Sequence, residues 1–251
     1  MMFLKRSISY IFLFLFLLTS AVQMSGQAAI IALIFGDKVA SEQFNISLEL
    51  GGNFSYFSEM EDISQFKYGL NFGIAGNVQL NESWYLIPSA FFLSKRTFDF
   101  NSYSLNTGNA GLDQLYTNKE ATLNMSYIDV PILLLYQTNN KKFRFGLGPQ
   151  ISFLSNAGIT VKDELGDFVE DVKEDTNNLD YGILSSVGYS LGEARKGKGL
   201  FVQLRYYQGF NDVFKDAISS NKNTSGYFSV HLSLPFITDE LAKANLQKLD
   251  N

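Results

Sequence analysis

The sequence predicts an all-β protein, an eight-stranded antiparallel up-and-down transmembrane β-barrel, and three observations predict it. Apolar and polar residues alternate with a period of two through eight segments, each as long as the ~9 to 11 residues that cross a bilayer at a tilt. The connections between these segments alternate long and short. The composition is 46% hydrophobic with 13 Tyr and 23 Phe. Yet past residue 26 no apolar run approaches the ~20 residues of a spanning helix.

Taken in order, the chain opens with MMFLKRSISYIFLFLFLLTSAVQMSGQ. Two basic residues, a short apolar run and then small polar residues form the pattern of a secretory signal, expected over 1–26. A leader segment, 27–43, is too apolar to stand free in the periplasm, and its Ile30 to Phe35 are expected to pack against the periplasmic mouth. The barrel itself is expected over 44–236, with 237–251 as a periplasmic tail.

The first strand, 44–56, places Phe44, Ile46, Leu48, Leu50, Phe54 and Tyr56 on one face and Asn45, Ser47, Glu49, Asn53 and Ser55 on the other. The second, 66–80, sets Tyr68, Leu70, Phe72 and Ile74 against Gly69, Asn71, Gly73 and Ala75. That second face is small and polar, as a barrel lumen is. Further strands are expected at 84–96, 121–137, 143–154, 180–191, 200–210 and 226–236. The last, GYFSVHLSLPF, keeps strict alternation and closes on an aromatic, which resembles the C-terminal signal read by the barrel assembly machinery.

The first, third, fifth and seventh connections are each longer than any of the others, the third and fifth (97–120 and 155–179) the longest of all. Long loops outside and short turns in the periplasm explain this parity, which a Greek-key sandwich has no reason to keep. Charge follows the same split. The fifth connection carries seven acidic residues against two lysines, whereas the periplasmic turns include NNKK and GEARKGKG. Aromatic residues fall near expected strand ends: Tyr56, Phe57, Phe98, Tyr206, Tyr207 and Phe210 outside, Trp84, Tyr85, Tyr136, Phe143, Tyr189 and Phe236 below. They are expected to form two interfacial girdles.

The fourth strand contains YIDVPILLLY, where an acid and a proline interrupt an apolar run. Ile128, Val130, Ile132, Leu134 and Tyr136 share one face, so Asp129 points away from lipid, where a carboxylate would cost several kcal/mol. Pro131 donates no ladder hydrogen bond, and Leu123 and Met125 lie out of phase with Ile128; both suggest a bulge within this strand.

Together, WYLIPSAFFLSKR, YIDVPILLLY, FGLGPQISFL, YGILSSVGYSL and VQLRYYQGFNDV resemble the PorT-type outer-membrane β-barrel family over about 44 to 236. The resemblance implies an eight-stranded barrel in the outer membrane of a Gram-negative bacterium. Through the secretion component that names the family it also implies a possible link to protein secretion.

Counting inward by strict alternation, the charged residues of the lumen are Glu49, Lys67, Lys95, Asp129, Arg144, Asp180 and Arg205. Eight strands enclose an interior just wide enough for its own side chains, so a paired, closed network is expected. That makes a non-enzymatic structural or interaction barrel the leading function, acting through its long outer loops. Its expected partners are outer-membrane lipid and lipopolysaccharide, the assembly machinery, and another envelope or secreted protein. The alternative is a narrow porin-like channel for small solutes. Catalysis is not expected: His231 has Ser229 and Ser233 two residues away on one face, ~6.5 Å off by strand rise, too far for a hydroxyl–imidazole pair. No cofactor or metal is expected from a chain with no Cys and one His, and no nucleic acid from one that is net acidic.

Overall fold

The computed structural model describes residues 43–58, 63–105, 108–163, 166–194, 198–215 and 222–237, of which 63–66 and 198 by backbone alone. In chain order the elements are β1 (Phe44–Phe57), β2 (Ile63–Phe66), β3 (Tyr68–Gln79), β4 (Trp84–Tyr103), α1 (Ala110–Leu115) and β5 (Lys119–Gln137). They continue with β6 (Phe143–Asp163), β7 (Gly166–Asp171), β8 (Leu179–Glu193), β9 (Lys198–Asp212) and β10 (Thr224–Pro235). Each of the eight expected strands falls on a long one. These close a ring of antiparallel neighbours, β1, β3, β4, β5, β6, β8, β9 and β10, with β10 returning to β1 so that Leu50 faces Leu232. Closure leaves no free edge within the bilayer, where an unpaired backbone group would find no water. The expected signal, the leader and the tail lie outside the described residues, apart from residue 43 and residue 237.

Outward-facing residues of the ring, such as Leu70, Phe72, Phe92, Leu147, Leu204 and Phe228, are large, apolar and exposed, as a lipid-facing belt must be. At the periplasmic end Trp84 meets Tyr136 with ring centroids 5.3 Å apart, and Phe143 meets Tyr189 at 5.1 Å. Other expected girdle residues turn inward instead. Phe57, Tyr85, Phe98 and Tyr207 are buried among protein side chains, because the lumen is apolar at several levels and takes up aromatic rings as readily as lipid does.

The largest departure lies outside the bilayer. About half of the expected loops 97–120 and 155–179 is strand: β4 runs to Tyr103, β5 starts at Lys119, β6 runs to Asp163, and the acidic stretch expected as a solvated loop supplies β7. Phe100 opposes Ala121, Ala121 opposes Val161, and Val161 opposes Phe168, while β2 pairs with β4 on the other side. The result is a five-stranded sheet, β2–β4–β5–β6–β7, standing above the belt. Apolar residues alternating among acids and amides hold it, since each inward side chain finds a partner only when the strands lie side by side. Asn109 caps α1, its side chain accepting from the Gly111 and Leu112 amides.

Two bulges set which side chains enter the lumen. Against β3, Phe72 pairs with Leu93 and Gly73 with Phe91, so Phe92 is an extra residue on β4. Against β5, Ser126 pairs with Asn156 and Tyr127 with Leu154, so Ser155 is an extra residue on β6. Each bulge reverses the alternation beyond it. The expected bulge within β5 is absent: Val130 and Pro131 pair in register with Ile151 and Gln150, and the alternation is unbroken from Ala121 to Gln137. Leu123 and Met125 are inward like Asp129, because at their height the interior is a hydrophobic core. One rung from Pro131, Gly148 lies so close to β5 that a Cβ would fall 1.9 Å from the Ile132 carbonyl oxygen.

Candidate functional site

The lumen is built around one arginine. Asp129, Ser152 and Asp180 are direct cross-strand neighbours on β5, β6 and β8, all facing inward. Arg96, from β4, is wholly buried between them. Its guanidinium donates to Asp180 at 2.5 Å, to Asp129 at 3.2 Å and to the Ser152 hydroxyl at 2.9 Å. It also reaches the Ser225 hydroxyl of β10 at 2.8 Å, so one side chain joins β4 to four other strands. Ser94 donates to Asp129 and Ser225 to Asp180, each at 2.6 Å, filling further lone pairs of the carboxylates. The Tyr127 ring lies 4.1 Å from the guanidinium carbon, with the Tyr207 and Tyr227 rings at 5.3 and 5.5 Å. Stacked aromatic faces and two carboxylates suit the planar, weakly hydrated arginine better than a lysine.

A second ion pair joins β9 to β1. Arg205 donates to Glu49 at 2.9 Å and also to the Gln203 side-chain oxygen, while Ser47 donates to Glu49 at 3.0 Å. Arg144 lies with its guanidinium carbon 3.4 Å from the Phe201 ring centre and 5.5 Å from that of Tyr85. Among the described residues the lumen therefore holds three carboxylates (Glu49, Asp129, Asp180) and three arginines (Arg96, Arg144, Arg205), a neutral set in a low-dielectric space.

Of the residues expected in the lumen, Glu49, Asp129, Arg144, Asp180 and Arg205 are inside it and buried. Lys95 and Lys67 are not. The Phe92 bulge turns Lys95 out of the barrel and its neighbour Arg96 in, reversing the assignment made by uninterrupted counting. The ladder is interrupted at residue 67, between β2 and β3, and Lys67 pairs on the outer surface with Asp99 at 2.7 Å, its side chain 42% exposed. Arg96 was thus missed because nothing local marks the bulge: Phe91, Phe92 and Leu93 are consecutive large apolar residues, but so are Ile132 to Leu135 of β5, which alternate without an extra residue.

His231 packs edge-on against Phe91 with centroids 5.3 Å apart, and its nearest polar contact is the Asn71 amide at 3.5 Å. It is buried at the middle of the wall, and neither adjacent serine bonds to it.

Above Arg96 the extracellular sheet closes the lumen. Phe98 stacks on Phe57 at 3.9 Å, Phe214 meets Phe57 edge-on at 5.0 Å, and Leu123, Met125, Ile159 and Val161 complete a buried apolar cluster. Leu112 of α1 and Phe168 of β7 pack against it. At its rim the Tyr103 hydroxyl donates to Glu170 at 2.7 Å, and burial together with that bond holds the phenol well above its usual range. The lumen thus reads from outside inward as an apolar cap, a charged and aromatic layer, and further packed side chains, including Ile87, Leu133, Leu135 and Leu184.

Among solved structures, the chain is similar to Ail, the attachment invasion locus protein of Yersinia pestis, at 10% identity, covering 78% of this chain and 100% of that one with a TM-score of 0.41. It is also similar to neisserial surface protein A, at 12% identity, 77% and 97% coverage and a TM-score of 0.40. The outer membrane protein OprG of Pseudomonas aeruginosa matches at 11% identity, 76% and 93% coverage and a TM-score of 0.38. No curated protein sequence matches it. The profile of the outer membrane protein beta-barrel domain matches residues 35–215. With that span matched and eight strands closed into one ring, the chain belongs to the outer membrane protein beta-barrel domain family and lies in the outer membrane.

Proposed function

We propose that this protein is a closed, non-enzymatic barrel of PorT type that works through contacts of its extracellular sheet and α1 with another envelope or secreted protein, in connection with protein secretion. The observation that carries this reading is the filled lumen. Arg96 reaches from β4 to β10 across the interior, and the cap around Phe98 and Phe57 packs directly above it. A solute path would require both layers to part, at the cost of exposing apolar surface and unpairing buried charges. Burial of His231 likewise favours a packing role over chemistry on a substrate. What the barrel presents to the outside is its sheet, which on this reading is its working part.

Reconstitution in planar bilayers together with chemical cross-linking in intact cells tests the reading. The expected result is no discrete conductance, and a cross-linked partner that disappears when residues 104–118 are replaced by a short Gly-Ser turn. Conductance steps altered by Asp129→Asn or Arg205→Gln would instead establish a narrow porin-like channel.

A further inference from the structure

Within the ring strands, the described side chains turn lysine outward on one wall only, whereas the exposed Lys215 and Lys222 lie on the β9–β10 connection. Lys95 is exposed at the upper edge of the lipid belt, level with Leu70 on β3 and Ser126 on β5. Above it a groove of about 340 Å³ opens on the outer surface, lined by Lys67, Asp99, Asn101, Glu120, Thr122 and Lys162. Its floor is four residues above Lys95, which strand rise and tilt convert to about 10 Å. On the opposite wall, the described side chains of β8, β9, β10 and β1 turn no lysine or arginine outward. Tyr56, Tyr181, Tyr206 and Phe210 face out there instead, with the Tyr56 and Tyr206 hydroxyls 2.8 Å apart.

We propose that the β3–β6 wall is a docking surface for lipopolysaccharide, with Lys95 facing the lipid A phosphates and the groove taking the acidic sugars of the inner core. The placement carries the occupant. The outer leaflet of this membrane consists of a phosphorylated disaccharide on acyl chains with acidic sugars directly above it, and the wall offers the matching order from the bilayer outward: apolar belt, single cation, polar groove. The groove's mixed lining suits a hydroxylated, charged saccharide better than a bare anion. Exposed Lys162 meets carboxylate or phosphate, while Asn101 and Glu120, beside the mutually bonded Lys67, Asp99 and Thr122, pair with hydroxyls. The Phe92 bulge thereby does two things at once, since the residue that sends Arg96 into the lumen also sets Lys95 at the lipid headgroup level.

Binding of purified, refolded full-length protein in detergent to four probes tests this: lipopolysaccharide with its core, lipid A, dephosphorylated lipid A and inorganic phosphate. Native mass spectrometry would count bound glycolipid, and a heat-modifiable gel shift would confirm that each variant is folded. A cation near a lipid surface contributes enough for about a fivefold change in affinity. Lys95→Gln is therefore expected to weaken lipopolysaccharide and lipid A alike by about fivefold, Lys162→Gln to weaken only the core-bearing form, and Lys222→Gln to weaken neither. Unchanged binding in folded Lys95→Gln and Lys162→Gln would overturn the proposal. So would equal binding of dephosphorylated lipid A, or full displacement by millimolar inorganic phosphate, which would mark a simple phosphate site.

Discussion

Replacing Arg96 by methionine should be among the most damaging single changes in the lumen. Methionine keeps the unbranched apolar stem but removes the guanidinium that lies over Tyr127 and whose charge is 2.5 Å from Asp180 and 3.2 Å from Asp129. Both carboxylates are almost fully buried, so neither can recover its hydration. Removing one partner of a buried pair costs about 3–5 kcal/mol, and here two acids are stranded, which puts the loss at or above the upper end of that range. Ser94 and Ser225 still donate to the acids and soften the effect slightly. The assay is urea unfolding in detergent followed by the heat-modifiable gel shift. Adding Asp129→Asn and Asp180→Asn should restore about 2 kcal/mol or more, because the damage lies in the unpaired charges and not in the lost arginine itself. Lys95→Met, one residue away but outside the barrel, should stay within about 0.5 kcal/mol of the parent. The reasoning is refuted if Arg96→Met unfolds within about 1 kcal/mol of the parent, if the triple variant is no better than the single, or if Lys95→Met is the more damaging change.

Glu49→Gln leaves Arg205 buried without its carboxylate, and should cost about 3 kcal/mol in the same unfolding assay, less than Arg96→Met because one charge is stranded instead of two. Phe98→Ala removes a fully buried ring stacked 3.9 Å from Phe57 and should cost about 3–5 kcal/mol, with the segment around α1 becoming cleavable by protease added to intact cells. Gly148→Ala would place a methyl group against the Ile132 carbonyl, forcing β5 and β6 apart; a loss of about 1–3 kcal/mol and a lower refolding yield are expected on a refolding gel.

The legible part of the fold was its periodicity. In β1, Phe44 to Tyr56 alternate so regularly that the lipid face and the lumen face can be separated by eye, and the structure has Glu49, Asn53 and Ser55 buried inside. Asp129 could be turned inward on the same ground, since Ile128 and Val130 claim the lipid side. The extracellular sheet was hidden because its signal is non-local. Phe98 and Phe100, and Ile159 and Val161, are short alternating runs embedded in acidic and amide-rich sequence, and each reads as a loop until it lies beside Leu123 and Met125 at the start of the expected fourth strand.

The number of ring strands, the period of their alternation, the placement of the lipid belt and the acidic outer face are properties of neighbours along the chain, and the sequence by itself determined them. Which of Lys95 and Arg96 enters the lumen was decided only by the tertiary structure, because an extra residue at Phe92 is defined by the strands paired on either side of it. The same holds for Leu123, Met125, Phe98 and Tyr207. An apolar side chain has the same hydrophobicity whether it meets lipid or a protein core, so its direction follows from what stands opposite it across the barrel.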